Sequence, residues 1–310
     1  MSITINSKEY KIIKEIGKGG FSKVYKVKNE NKEYAPKQIP LDNKKDEEKI
    51  RREAKILSNI DNNEYIVKYY DSYKDEKSFY ILMEYCEGID LRELIEKYKN
   101  EGKLMDEQLI YSIVLDICLG IKEIHKNNII HRDLKPENIF RLNNNKIKIG
   151  DFGVAKQLDQ NKKSANSMYG TLNYVAPELL KGKYNNKVDI WSLGCIIYEL
   201  LTLNYCFENI IDLCDKIYSN KRYGEININK YNNKWQVLID LLLKKDYNER
   251  PTIDEVINFL NKEFKNKSKI EEIKEYNLND LIYLIITVLA LLFLSCLLSR
   301  SSKTLKKNKK

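Results

Sequence analysis

The first part of the chain alternates short apolar segments with polar ones, at lengths typical of strands. Five segments rich in Ile, Val and Tyr predict β-strands at residues 10–16, 22–27, 33–39, 66–73 and 78–84. Between the third and the fourth, residues 46–59 place Ile50, Ala54 and Leu57 at helical spacing among charged neighbours. The pattern therefore predicts a small sheet with one helix.

After residue 90 the apolar periodicity becomes helical. It predicts helices at residues 106–127, 188–203, 210–219, 235–243 and 253–260. Together with the first part this gives an α+β fold class, with a β-rich first half and a mostly helical second half. Residues 265–280 are polar and dense in charge, and we expect a linker there.

Residues 281–298 read LIYLIITVLALLFLSCLL, an uncharged apolar stretch of 18 residues. As a helix it would measure roughly 27 Å, close to the hydrocarbon thickness of a bilayer. A buried C-terminal helix is the alternative, but such a helix normally shows a polar face. We therefore expect a transmembrane helix at 281–298 and a basic tail at 299–310.

Composition narrows the choice of partners. The chain has 54 basic and 45 acidic residues, and six of the nine excess positive charges lie at 299–310, so residues 1–298 carry only +3. A nucleic-acid partner is therefore not expected. The six cysteines form no C-x-x-C pair, and the first residues lack the pattern of a signal peptide. We expect the body of the protein in the cytosol.

A glycine-rich segment joins the first two predicted strands, where residues 17–24 read GKGGFSKV. Such glycines let the backbone approach phosphates, although a plain turn is the alternative. A dinucleotide-binding fold is not favoured, because it needs a helix directly after the glycines. Lys37 on the third strand offers a cation that Glu53 could orient, although a lysine in a Lys-rich chain can also lie on the surface.

Three further motifs follow in order: HRDLKPEN at 131–138, DFG at 151–153 and APE at 176–178. Their order and spacing match the catalytic loop, the metal-binding motif and the end of the activation segment of protein kinases. Residues 10–264 therefore resemble a eukaryotic-type Ser/Thr protein kinase domain, and within it residues 148–153 and 184–191 look most similar to NIMA-related kinases. The resemblance implies a bilobal fold, with ATP held between a β-rich lobe with one helix and a larger, mostly helical lobe.

The resemblance also implies roles for the motif residues. Asp133 would orient the substrate hydroxyl and accept its proton, and Lys37, fixed by Glu53, would contact the α- and β-phosphates. Lys135 would steady the γ-phosphate. Lys135 and Thr171 are the residues expected where the acceptor is Ser or Thr rather than Tyr.

Cofactor sites follow in the same way. Asn138 and Asp151 would hold Mg²⁺. The residues implied at the ATP site are Ile16, Gly17, Lys18, Gly19, Gly20, Phe21, Ser22, Val24, Ala35, Lys37, Met83, Glu84, Cys86, Asp90 and Phe140. For the apolar members of this set, an ordinary core position is an equally good interpretation.

Several implied roles are structural. His131 would pack beneath Phe152, Asp189 would brace the catalytic loop, and Glu178 and Arg250 would form a buried ion pair. The other histidine, residue 125, is interpreted as a packing residue at a helix end.

Regulation is implied by Arg132, which could be neutralised by a phosphate on the activation segment. The candidate phosphorylation sites are Ser164, Ser167 and, after them, Tyr169, and Thr171 is a further regulatory position of the same segment. A segment that is active without modification is the alternative.

Two positions depart from the family pattern. Ser22 replaces the third glycine of the loop, and Pro36 removes a ladder donor immediately before Lys37. A membrane-tethered pseudokinase scaffold is therefore the alternative. Because no catalytic group is lost, we expect an ATP- and Mg²⁺-dependent kinase that phosphorylates Ser and Thr of proteins. Its C-terminal anchor would lie in the mitochondrial outer membrane or the peroxisome rather than the endoplasmic reticulum.

Overall fold

The structure, a computed structural model, describes residues 2–18, 22–41, 44–60, 63–153, 155–157, 172–208, 212, 216 and 230–265. One compact unit spans Met1–Phe259, and a second spans Leu260–Lys310, of which residues 260–265 are described. The predicted transmembrane segment 281–298 lies outside the described residues, as do Ser164, Ser167 and Thr171. None of the helices among the described residues combines the length and the hydrophobicity that a membrane span requires.

The first lobe is a six-stranded antiparallel sheet with one helix. Its strands are β1 (Ser2–Ile5), β2 (Lys8–Lys18), β3 (Lys23–Asn29), β4 (Lys32–Pro40), β5 (Tyr69–Lys74) and β6 (Ser78–Glu84). They lie in the order β1-β2-β3-β4-β6-β5. Helix α1 (Lys44–Asn59) connects β4 to β5. The five predicted strands and the helix are confirmed, whereas β1 was not predicted.

Strand β1 joins the sheet because its apolar side chains alternate. Ile3 and Ile5 are buried while their neighbours are exposed, and they pack in one cluster with Tyr10, Val27, Tyr80 and Leu82. Asn6 and Ser7 turn the chain into β2 with φ values of 47° and 64°, as a two-residue hairpin requires.

Helix α1 carries Glu53 on the same face as its buried apolar side chains. Ile50, Ala54 and Leu57 are buried at helical spacing. Glu53 lies three residues after the first and four before the last of these, so it shares the buried face. The helix thus carries a buried carboxylate toward the sheet.

The second lobe is mainly helical. Its helices are α2 (Leu91–Asn100), α3 (Glu107–Lys126), α4 (Pro177–Leu180), α5 (Lys187–Thr202), α6 (Lys234–Leu242) and α7 (Ile253–Glu263). Short strands β7 (Gly88–Asp90), β9 (Ile139–Leu142) and β10 (Ile147–Ile149) form one sheet, and β8 (Ile129–Ile130) pairs with β11 (Lys156–Gln157). The predicted helix at 210–219 lies largely outside the described residues.

Helix α5 forms the centre of this lobe. All its residues from Val188 to Leu201 are buried, as expected for a helix that is apolar on every side. Asp189 is buried with them, so its charge requires partners. Asp90 and Asp106 begin α2 and α3 as N-caps, each accepting a backbone N–H two or three residues ahead. The bilobal α+β architecture is confirmed.

Candidate active site

A largely enclosed lysine of the first lobe contacts an aspartate that follows the second-lobe strand β10. Lys37 Nζ on β4 lies 2.8 Å from Glu53 Oε1 on α1 and 2.9 Å from Asp151 Oδ1. Burial alone would lower the pKa of Lys37, but the two carboxylates outweigh it and hold that pKa above its ordinary value. The predicted pairing of Lys37 with Glu53 is therefore observed, and the site keeps a fixed positive charge.

The catalytic-loop residues converge on Asp133. Lys135 Nζ lies 3.0 Å from Asp133 Oδ2. The Asn138 side-chain amide donates to the Asp133 carbonyl at 2.8 Å and to its Oδ2 at 3.2 Å. These contacts fix the carboxylate next to an ammonium group, so Asp133, Lys135 and Asn138 are brought together as predicted.

Two residues of the site adopt left-handed backbone conformations, Arg132 with φ of 68° and Asp151 with φ of 53°. For residues other than glycine such conformations cost on the order of 1–3 kcal/mol and need support from their surroundings. Asp189 supplies part of it, because its carboxylate accepts the backbone N–H of His131 at 3.0 Å and that of Arg132 at 2.9 Å. The predicted bracing of the catalytic loop by Asp189 is observed.

His125 differs from its interpretation as a packing residue. Its Nε2 lies 2.8 Å from Asp189 Oδ2, so it is a direct hydrogen-bond partner of the carboxylate that holds the catalytic loop. Burial would raise the pKa of Asp189, but His125 and the loop N–H groups hold it below its ordinary value. The sequence carries no local signal for this contact, because His125 and Asp189 lie 64 positions apart in the chain.

His131 packs on Phe152 edge to face, with ring centroids 4.9 Å apart. Its Nε2 lies 3.0 Å from the Gly150 carbonyl. Phe152 is buried, and Asp151 beside it points to Lys37. The predicted contact between the histidine and the phenylalanine is observed.

Arg132 is more enclosed than the sequence suggests. Its guanidinium donates to the Tyr184 hydroxyl at 2.8 Å and to the Ala155 carbonyl at 3.4 Å, and the residue is buried. Arg132 therefore already has hydrogen-bond partners without a phosphate. A phosphate on the activation segment would have to share Arg132 with these partners.

The apolar residues implied at the adenine site lie on adjoining strands. Ala35 on β4 is opposite Met83 on β6, and Val24 on β3 is opposite Gly17 on β2. Phe140 on β9 packs closely enough on Gly150 that a Cβ there would come within 2.8 Å of its ring. The sheet of the first lobe and strand β9 of the second lobe thus both contribute apolar residues to the predicted adenine site.

The polar groups of this set lie at the end of β6 and in the residues up to the end of β7. The Glu84 N–H donates to the Lys68 carbonyl at 2.8 Å, so it is not available to a base, and the Glu84 side chain pairs with Lys148 at 2.9 Å. Burial raises the pKa of the Cys86 thiol to about 12. Asp90 caps α2 through the Glu93 N–H at 2.8 Å.

The glycine-rich segment is partly described. Strands β2 and β3 pair as far as Lys18 opposite Lys23, with Ile16 partly exposed in β2 and Ser22 just before β3. Gly19, Gly20 and Phe21 lie outside the described residues. The strand–turn–strand context of the motif is confirmed.

Pro36 lies in an interior strand. It is opposite Leu82 of β6, and the registered pairs of β3 with β4 pass over it, from Val24 with Lys37 to Val27 with Tyr34. The missing N–H therefore falls where that ladder is interrupted. Lys37 still reaches both carboxylates, so the proline does not displace it.

Arg92 was missed in the sequence. At the start of α2 it binds Glu137 Oε1 at 3.0 Å, Glu199 Oε1 at 2.6 Å and the Tyr174 hydroxyl at 2.5 Å. Arg92 thereby connects helix α2 to the catalytic loop, to helix α5 and to the segment before α4. Its carboxylate partners lie 45 and 107 positions away in the chain, so no local pattern could have revealed them.

The predicted ion pair between Glu178 and Arg250 is observed. Arg250 Nη1 and Nη2 bind the two carboxylate oxygens of Glu178 at 2.6 and 2.8 Å, and both side chains are buried. The bidentate geometry compensates for removing both charges from water.

The oxygen atoms of Asn138 and Asp151 fit a magnesium ion. The Asn138 amide nitrogen faces Asp133, which turns its oxygen the other way. Lys37 and the Gly153 N–H bind Oδ1 of Asp151, so Oδ2 is the oxygen that could reach a cation. Within the part of the chain that the structure describes, no group of three or more His, Cys, Asp or Glu could hold a metal alone. That donor set suits Mg²⁺, which keeps waters and phosphate oxygens as its other ligands.

The bilobal fold and the groups around Asp133 and Lys37 are those of a phosphotransferase that binds a nucleotide between its lobes. A family model for the protein kinase domain matches residues 10–260, and the chain belongs to the protein kinase family. Members of that family use ATP and Mg²⁺.

Curated relatives narrow the class. The probable serine/threonine-protein kinase nek2 of Dictyostelium discoideum is 38% identical over 273 residues, which is 84% of this chain and 64% of that protein. Serine/threonine-protein kinase Nek1 of Mus musculus is 36% identical over 80% of this chain and 21% of its own length, and Nek3 of the same organism is 38% identical over 78% and 47%. The resemblance to NIMA-related kinases is confirmed, and the chain spans less than two thirds of each of these relatives.

Proposed function

We propose that this protein is a Ser/Thr protein kinase that transfers the γ-phosphate of ATP to protein hydroxyls. The observation that carries the proposal is the ion pair of Lys37 with Glu53, completed by Asp151 at 2.9 Å. An intact set of charged groups at this position favours an active enzyme over the pseudokinase alternative, in which Pro36 would have to prevent nucleotide binding.

Each residue has a defined task in this proposal. ATP supplies the transferred phosphoryl group, and Mg²⁺ neutralises its charge. Asp133 orients the substrate hydroxyl and accepts its proton, while Lys135 beside it balances the negative charge of the transferred group. Lys37 holds the phosphates, and Asn138 and Asp151 present the oxygens for the cation. The chain contributes positioning and electrostatics, which dominate phosphoryl transfer.

Peptides that differ only in the acceptor residue test the acceptor class. The full-length chain is incubated with radiolabelled ATP and Mg²⁺ and three peptides that carry Ser, Thr or Tyr at one position. We expect incorporation into the Ser and Thr peptides and loss of it in Lys37→Met. A preference for the Tyr peptide, or equal incorporation by Lys37→Met, would overturn the proposal.

We also propose that residues 281–298 anchor the protein in a membrane, with the kinase domain on the cytosolic side where ATP is available. The support comes from the sequence alone: 18 uncharged residues followed by six basic residues at 299–310. A short span with a basic flank favours the mitochondrial outer membrane or the peroxisome over the endoplasmic reticulum.

Deletion of residues 281–310 separates the anchor from the enzyme. We expect the wild type in the membrane pellet after alkaline extraction and the truncated chain in the supernatant, with kinase activity retained. Deleting residues 299–310 alone is the matched control and should leave the protein in the pellet. A wild type that is extracted at alkaline pH would contradict the anchor.

A further inference from the structure

Arg92 at the start of α2 fills a group of acidic side chains next to the catalytic loop. Its Nη1 lies 2.6 Å from Glu199 Oε1 on α5, and its Nε lies 3.0 Å from Glu137 Oε1. The side chains of Arg92 and Glu199 are 17% and 2% exposed, whereas that of Glu137 is 41% exposed. The guanidinium is therefore an internal cation that a buried acid and an exposed acid share.

Both acids depend on this one cation. The second oxygen of Glu199 accepts a hydrogen bond from the Tyr174 hydroxyl at 2.6 Å, but that donor is neutral. Glu137 has no other hydrogen-bond donor among the residues that the structure describes. Burial raises the pKa of Glu199 above its ordinary value even with Arg92 in place. Without Arg92, Glu199 would have to take up a proton or bind another cation.

The two acids lie beside the proposed position of the acceptor hydroxyl. Glu137 directly precedes Asn138, whose amide lies 3.2 Å from Asp133 Oδ2. Tyr174, which contacts the other acid, lies just before α4 at the end of the activation segment. An extended peptide advances about 3.3 Å per residue, so side chains within three positions of the acceptor lie within about 10 Å of Asp133.

The guanidinium closes the approach to the buried acid. The ring of Tyr205, which is 42% exposed, has its centroid 5.1 Å from the Arg92 guanidinium carbon. Glu96, one turn further along α2, is a third acid at 3.9 Å, but it is half exposed and its attraction is screened by water. A basic side chain of a peptide would therefore have to displace Arg92 to reach Glu199.

We propose that Arg92 determines substrate specificity, a role that rests on the proposed kinase function: it supplies from within the chain the cation that Glu137 and Glu199 bind, so acceptor peptides need no basic residue at this place. A chain without Arg92 would offer two carboxylates near Asp133. It would select an arginine in the peptide, because a second guanidinium can bind both acids through separate nitrogens. Arg92 thus acts on the choice of peptide and takes no part in phosphate transfer.

An arginine scan of the acceptor peptide tests this role. The full-length chain and Arg92→Ala receive a Ser peptide with neutral flanking residues, and a set of variants with one arginine at each of the three positions on either side of the acceptor. We expect the wild type to show KM values within about threefold of one another. In Arg92→Ala, one or more arginine peptides should show a KM about tenfold or more below that of the neutral peptide, with kcat changed by less than about threefold.

Two variants control for charge and for structure. Lys97→Ala removes a positive charge from an exposed position of the same helix and should behave as the wild type does. Arg92→Ala/Glu199→Gln should lose most of the arginine preference, because the buried carboxylate is gone. A purely structural role for Arg92 would affect all peptides alike. Equal KM values for the neutral and arginine peptides in Arg92→Ala, or a tenfold arginine preference already in the wild type, would overturn the proposal.

Calorimetric titration with Nα-acetyl-arginine amide separates this role from the kinase function. Arg92→Ala should bind the amide about tenfold or more tightly than the wild type and Lys97→Ala do, and it should bind uncharged Nα-acetyl-citrulline amide no better than they do. If Arg92→Ala does not fold, Arg92→Lys replaces it with the same expectation, because a single nitrogen cannot take the places of both Nε and Nη1. A wild type that phosphorylates no peptide would reject the proposed function. Equal binding of the arginine amide by the variant and the wild type would reject the role of Arg92 alone.

Discussion

Asp189 carries its charge at the centre of the helical lobe with its side chain almost fully buried. Such a carboxylate is stable only when every oxygen is hydrogen-bonded, and here His125 and the N–H groups of His131 and Arg132 supply the donors. These hydrogen bonds stabilise the catalytic loop, because they hold Arg132 in its left-handed conformation immediately before Asp133.

Asp189→Asn should lower the free energy of unfolding by about 1.5–3 kcal/mol, since hydrogen bonds to a charged acceptor are lost. The pKa of Asp189 is depressed in the folded protein, so its contribution is present above pH about 4 and is lost as the pH falls through the folded-state pKa. Urea unfolding between pH 3 and pH 7 should therefore show a shallower acid dependence in Asp189→Asn than in the wild type.

Exposed Glu76 gives the matched control, and Glu76→Gln should keep the stability and the pH dependence of the wild type. An acid dependence that Asp189→Asn leaves unchanged would mean that other carboxylates control it.

At the scale of single residues, the sequence predicts the catalytic groups better than their supports. Asp133, Lys37 and Asp151 belong to motifs whose chemistry fixes both the residue type and the order along the chain. His125 and Arg92 act through partners that are distant in sequence, His125 on Asp189 and Arg92 on Glu199. Folding alone brings these pairs together, so the sequence could not reveal them.

Strand β4 shows how an element tolerates an unfavourable residue. Proline is normally confined to edge strands or irregular positions, because it cannot donate to a ladder. Here the pairs of β3 with β4 are missing at Pro36 and the residue before it, and Lys37 directly after it pairs opposite Val24 in the same register. The gap in the β3–β4 pairing accommodates Pro36, and Lys37 keeps its position in the strand.

Pro36→Val should therefore change the KM for ATP by less than about fivefold, which corresponds to under about 1 kcal/mol. Initial rates over a range of ATP concentrations, compared with those of Glu33→Gln at a half-buried position of the same strand, provide the measurement. A tenfold or larger fall in KM would show that Pro36 weakens nucleotide binding, as the pseudokinase alternative assumes.

Helix α4 is attached to the lobe by the ion pair of Glu178 with Arg250. Removing the carboxylate leaves a guanidinium that is fully buried without its anionic partner. Glu178→Gln should lower the free energy of unfolding by about 3–5 kcal/mol in urea titrations, whereas Lys181→Gln, an exposed change one turn later, should leave it unaltered. A change below about 1 kcal/mol in Glu178→Gln would contradict a structural role for the pair.

The predicted bounds of an element agree with the structure where a long run of buried residues defines it. A short strand next to a turn was not predicted. Helix α5 runs from Lys187 to Thr202 against a prediction of 188–203, because its apolar run is continuous. Strand β1 was missed because four residues give a weak pattern, although the alternation of Ile3 and Ile5 before the Asn6–Ser7 turn carries the signal.

At the scale of the whole molecule, the structure covers only some of the parts that the sequence predicts. The two lobes and the groups between them follow from strand and helix patterns combined with the kinase motifs, and the structure brings them together. The membrane anchor rests on the apolar run at 281–298, and the regulatory positions in the activation segment are Ser164, Ser167 and Thr171, all outside the described residues. These parts remain predictions, whereas the arrangement around Asp133 is observed.

The rate of phosphate transfer by Asp133→Asn tests the central claim most directly. Asparagine keeps the shape of the side chain but cannot accept the hydroxyl proton, so the initial rate into a Ser or Thr peptide should fall by about 10²–10⁴-fold. The thermal unfolding midpoint of the variant should match that of the wild type, which excludes misfolding as the cause. Equal rates for the wild type and Asp133→Asn would contradict catalysis by this site.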